Sequence, residues 1–134
     1  MSGIVDLEKL LESMNPVLVE DEFVFCNVPG QLSEYINLNP LATFIESEGI
    51  TLVLSKSSAE SAGINFKNTY KQITLSVHSS LEAVGLTAAI SNKLASNGIS
   101  ANVIAAYFHD HIFVQSEKAQ AALAALHEIS GNNG

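Results

Sequence analysis

The sequence predicts an α+β protein of two interlocked ferredoxin-like units, antiparallel sheets covered by helices, and three observations carry that expectation. The second half of the 134-residue chain reads strand, helix, strand, strand, helix. It stops one strand short of the ferredoxin-like order, and the tail SGNNG is too short, polar and glycine-rich to supply it. The first half carries surplus strand-like runs, so the missing strand is expected to come from there.

The first half opens on a helical pattern in which Ile4, Leu7, Leu10 and Leu11 share a face, and Asn15-Pro16 ends it. Val17 to Val19 reads as a short strand, and Glu22 to Val28 alternates as a second, stronger one. Pro29-Gly30 marks a turn, and Gln31 to Leu38 fits either a helical turn or a loop. Leu41 to Ile45 and Ile50 to Leu54 flank Glu46-Ser47-Glu48-Gly49, a hairpin with its glycine in the loop. Ser57 to Ala62 is a short helix stopped by Gly63, and Asn65 to Asn68 is the best position for a boundary. The expected units are therefore residues 1–66 and 67–134.

In the second unit, Ile73, Leu75 and Val77 alternate against Gln72, Thr74 and Ser76, a strand from about Tyr70 to His78. Leu86, Ile90 and Leu94 then recur at helical spacing up to Asn97-Gly98. A strand over Ala101 to Phe108, a turn through His109-Asp110-His111 and a strand over Ile112 to Gln115 follow. The last helix starts after Ser116, with Ala119, Ala122, Leu123 and Leu126 on one face; its alanines, Ala121, Ala122, Ala124 and Ala125, suit close packing on a sheet.

Composition narrows the function classes. Hydrophobic residues make up 47 %, enough for a packed interior. The formal charge is −8, and no Lys/Arg cluster exists to neutralise phosphates, which argues against nucleic acid and anionic membranes. The single cysteine, Cys26, sits among Phe23, Val24, Phe25 and Val28 and reads as a buried strand thiol in a reducing compartment. MSGIVDLEK lacks the basic and apolar regions of a signal peptide, and no apolar run is long enough to span a bilayer. A cytoplasmic protein is expected.

The segment Ser79 to Leu86, SSLEAVGL, joins the clearest strand to the clearest helix. A helix start leaves backbone N–H groups without helical acceptors, and Gly85 has no Cβ to keep a ligand away, so a carboxylate suits this position. Ser79 and Glu82 also have the spacing of a capping box, a purely structural role. His109, Asp110 and His111 alternate across the hairpin, which leaves two imidazoles for a metal, with His78 nearby; no cysteine or further acid follows in register, so no metal is expected. Asp110 instead suits an α-ammonium group whose carboxylate is received at the glycine turn. No G-x-S-x-G elbow, G-x-G-x-x-G or P-loop occurs, and no nucleophile–base set is evident. Neither catalysis nor a cofactor is expected.

Glu82-Ala83-Val84-Gly85-Leu86, followed by Ala89, Ile90, Leu94, Ala95, Gly98 and Ile99, resembles the ACT domain signature. HSSLEAVG and YFHDHIFV are similar to strings of small bacterial proteins with two ACT-like units, and the likeness covers nearly the whole chain. Val84 stands where many relatives have proline, and the first half lacks a full helix after its first strand. The resemblance implies non-catalytic binding of a small amino acid in a regulatory or sensing role. It tilts Val84, Gly85 and Leu86 toward a ligand-facing role, and with Ser79, Ser80, Glu82 and Asp110 these are the expected ligand-binding residues. Sheet edges left open by the incomplete first half lead to the expectation of a homo-oligomer. The competing expectation is a structural or protein-interaction module that has lost its ligand.

Overall fold

The computed structural model describes residues 11–76 and 85–130. Hydrogen-bonded strand neighbours run β2-β3-β1-β4-β6-β5 in an antiparallel sheet. The described residues divide into two compact units, one of Asp21–Tyr70 and one of residues 11–20, 71–76 and 85–130.

Strand β1 (Pro16–Val28) is one element of 13 residues where the sequence suggested two. The acidic run Glu20-Asp21-Glu22 hides the alternation, yet a strand needs apolar side chains only where a face is buried. Glu20 and Asp21 are exposed, and the Glu20 carbonyl accepts a hydrogen bond from Lys71 Nζ. Asp21 is also where β1 enters the other unit.

Within Asp21–Tyr70, β2 (Ala42–Glu46) and β3 (Gly49–Ser55) form the expected hairpin, with Ile45 opposite Ile50 and Thr43 opposite Leu52. Gly49 has φ +141°, and a Cβ there would collide with Asn27 Oδ1. β3 pairs in turn with β1, Leu54 opposite Val24 and Leu52 opposite Cys26. Val24, Cys26, Leu52 and Leu54 are buried with Ala59 of α1 (Lys56–Ser61), a helix capped by the Ser55 hydroxyl. The ambiguous stretch before β2 holds two 3-10 turns, Leu32–Glu34 and Ile36–Leu38, pinned by the Glu34 carboxylate on the Gln31 N–H at 2.8 Å. Burial pushes the Cys26 thiol pKa up, so it behaves as a core side chain.

The other unit contains β4 (Tyr70–Leu75, its first residue apart), α2 (Leu86–Ser96), β5 (Asn102–Ala105), β6 (Asp110–Gln115) and α3 (Ala119–Ile129). β1 is the hydrogen-bonded neighbour of β4, the fourth strand position of the ferredoxin-like order, and its residues 16–20 belong to this unit. Its core gathers Leu75, Leu86, Ile90, Leu94, Ile112 and Leu126, each at most 2 % exposed, together with Met14 from ahead of β1. Leu86, Ile90 and Leu94 are thus the buried stripe that the spacing predicts.

Three local expectations shift. β5 stops at Ala105, and the turn spans Ala106 to His109, closed by the Ala106 N–H on the His109 carbonyl at 3.0 Å. Asp110 and His111 therefore lie in β6, paired with Ala105 and Ile104. Tyr107 and Phe108, read as strand residues, stand at the turn tip 81 % and 74 % exposed. On α3, Ala122 and Ala125 are buried while Ala121 and Ala124 are exposed, so only half of the alanine stripe packs.

Candidate functional site

Gly85 is the N-cap of α2, at φ +92° and ψ −14°, a left-handed conformation that glycine adopts without a Cβ penalty. The Ala89 N–H donates to the Gly85 carbonyl at 2.9 Å, the first bond of the helical ladder. The N–H groups of Leu86, Thr87 and Ala88 therefore have no acceptor within the helix. Leu86 itself is 2 % exposed and anchors the helix start in the core. Ser79, Ser80, Glu82 and Val84 lie outside the described residues, as does His78.

The positive φ has a cost that is independent of any ligand. Gly85→Ala is expected to lower stability by about 1–2 kcal/mol, the penalty of a left-handed L-residue. A thermal melt checks this, and an unchanged transition would show that the backbone does not hold the conformation.

Asp110 opens β6, partly exposed, and its carboxylate makes no hydrogen bond or ion pair with the described residues. Beside it, His111 Nδ1 lies 2.9 Å from Gln72 Nε2 and 3.0 Å from Thr74 Oγ1. These contacts set the end of β4 against the start of β6. The strand from which the glycine turn departs is thus adjacent to the residue expected to hold an ammonium group. Leu75, Leu86 and Ile112 belong to one buried cluster.

The ring centroids of His109 and His111 are 6.4 Å apart at 86°, and His111 Nδ1 is engaged by Gln72 and Thr74. Among the described residues no three His, Cys, Asp or Glu side chains converge. The Gln72–Thr74–His111 cluster was not read from the sequence. Its signal was the polar face of the alternating QITL run, to which no partner was assigned.

A separate cleft of about 300 Å³ lies in Asp21–Tyr70, lined by Asp21, Glu22, Ser55, Lys56, Ser57 and Glu60. Lys56 Nζ is 3.8 Å from the Glu22 carboxylate there. Such an exposed pair contributes little to stability.

The chain matches two family models, each described as an ACT domain, over residues 2–71 and 68–128. It is similar to a protein of unknown function from Vibrio cholerae, a possible transport protein, at 57 % identity and a TM-score of 0.89, covering 96 % of this chain and 99 % of that one. It is similar in fold to a protein from Agrobacterium tumefaciens, at 10 % identity and a TM-score of 0.74, covering 87 % of this chain and 89 % of the other. The ligand-free regulatory subunit of aspartate kinase from Thermus thermophilus matches at 13 % identity and a TM-score of 0.60, with 87 % and 98 % covered. No curated protein matches. The two ACT matches together take in nearly the whole sequence, and the strand order above is theirs to explain: this chain belongs to the ACT domain family and carries two ACT units.

Proposed function

We propose that this protein binds a small amino acid, or a closely related metabolite, without transforming it, in a regulatory or sensing role. The observation that carries the reading is the glycine-led start of α2, in a chain of two ACT units whose Asp110 carboxylate makes no hydrogen bond or ion pair with the described residues. The N–H groups following Gly85 suit the ligand carboxylate, by the helix-terminus electrostatics that favour anions. Asp110 suits the ammonium group. Ser79, Ser80, Glu82, Val84 and Leu86 complete the proposed site along the turn. The fold likeness to a regulatory subunit of aspartate kinase supports a regulatory role.

The proposed units are residues 1–66, a degenerate ACT-like unit, and 67–134, a second one completed by a strand from the first. A homo-oligomer in the cytoplasm is part of the same proposal. β2 ends the strand order, and Phe44 and Ile45 on it are each 70 % exposed, the kind of edge that proteins cover. No helix among the described residues is long and apolar enough to cross a membrane. The same exposed edge, with Ile36 and Leu41 also exposed, favours the second reading: an interaction module without a ligand.

A thermal-shift screen against the amino acids separates the two. A ligand present at 100 times its Kd adds about 2.7 kcal/mol to the folded state. One amino acid, or a chemically related few, should raise the melting temperature with no product formed. No shift with any amino acid, together with stoichiometric capture of one protein, favours the interaction module, and turnover of a ligand favours an enzyme.

A further inference from the structure

The geometry points to a pH-sensitive latch between β4 and β6: Gln72 and Thr74 hold His111 while its imidazole is neutral, and protonation releases it, loosening the start of β6 and the turn before it. The three side chains meet on the sheet face opposite the Ile73, Leu75, Ile112 and Val114 core. Gln72 Nε2 lies 2.9 Å and Thr74 Oγ1 3.0 Å from His111 Nδ1, and Gln72 Nε2 also donates to Thr74 Oγ1 at 3.1 Å. An amide nitrogen only donates, so Nδ1 is the acceptor and the neutral ring carries its proton on Nε2. A second proton has to enter at Nδ1, directly against the amide N–H. Gln72 is 6 % exposed and His111 itself is half-buried, so the amide has little freedom to turn away from the added proton.

The charges acting on His111 are named by its surroundings. Burial lowers its pKa from the usual imidazole range, His109 on the turn lowers it further, and Asp110 partly offsets both. β4 faces it with the neutral Gln72 and Thr74, and β5 with the apolar Ile104 paired opposite. A group whose pKa is lower in the folded state binds fewer protons there than in the unfolded chain. Its stabilisation is complete above the unfolded value of about 6.5, is lost as pH falls from there to the folded value, and changes no further below it.

The test is nuclear magnetic resonance on the full chain labelled at histidine. At pH 7.5 His111 should show the Nε2–H tautomer. Through its titration, amide exchange over residues 104–111, corrected for the intrinsic pH dependence, should accelerate about ten-fold, as expected for the loss of one to two hydrogen bonds. His111→Asn should abolish that pH response. Thr74→Val removes one contact and leaves the ring in place, so its response should be smaller and remain measurable if His111→Asn does not fold. An Nδ1–H tautomer at neutral pH, or a titration of His111 with unchanged exchange in both the parent and Thr74→Val, would overturn the latch.

Discussion

Residues 67–134, expressed without the rest of the chain, are expected to show no cooperative thermal transition. Their compact unit draws on residues ahead of Asp21: Met14 is 1 % exposed within the core, Leu11 and Leu18 pack against it, and residues 16–20 begin β1, the strand beside β4. Burying one such side chain contributes about 1.5–3 kcal/mol. Losing Met14, two partly buried leucines and a strand removes several such contributions from a total that is typically about 5–15 kcal/mol for a domain. The fragment also exposes the β4 edge to aggregation. A monomeric fragment with a sharp melt would show that the second unit is autonomous and that β1 is dispensable to it.

Asp110→Asn is expected to weaken amino-acid affinity by roughly ten- to a hundred-fold. The mutation replaces a charge-assisted partner of an ammonium group with a neutral one, a loss of about 1.5–3 kcal/mol. Because the carboxylate makes no hydrogen bond or ion pair with the described residues, the melting temperature of the unliganded protein should hardly move. Calorimetric affinity beside a thermal melt distinguishes a binding role from a folding role. His109→Ala and His111→Ala should cost less affinity, and a chelator should change nothing. Affinity equal to that of the parent would remove Asp110 from the site and leave the hairpin as a structural turn.

Much of the fold was legible because period-two and helical repeats are local signals. The alternation of Ile73 and Leu75 and the stripe of Leu86, Ile90 and Leu94 lead directly to β4, α2 and the core between them. Long-range pairing overrode local composition elsewhere. Glu20 and Asp21 interrupt the pattern of β1, yet pairing with neighbouring strands keeps it one strand. Tyr107 and Phe108 have strong strand propensity, yet the register that pairs Ala105 with Asp110 leaves them at a tip.

The local geometry of the candidate site was legible in part. Gly85 was singled out for close ligand approach, and its φ of +92° adds a backbone reason that no composition reveals. Asp110 was placed in the turn and lies instead at the start of β6, because the hairpin closes at His109. The union of Gln72, Thr74 and His111 depends on which residues of β4 and β6 meet, a register that neither strand encodes alone.

The measurement that tests the central claim most directly is a calorimetric titration of the full chain with each proteinogenic amino acid, followed by product analysis of the same samples. Saturable binding of one amino acid or a related few, with the ligand recovered unchanged, is the predicted result. A folded protein that gives no binding heat with any of them at millimolar concentration, or that converts one of them to product, would contradict the account.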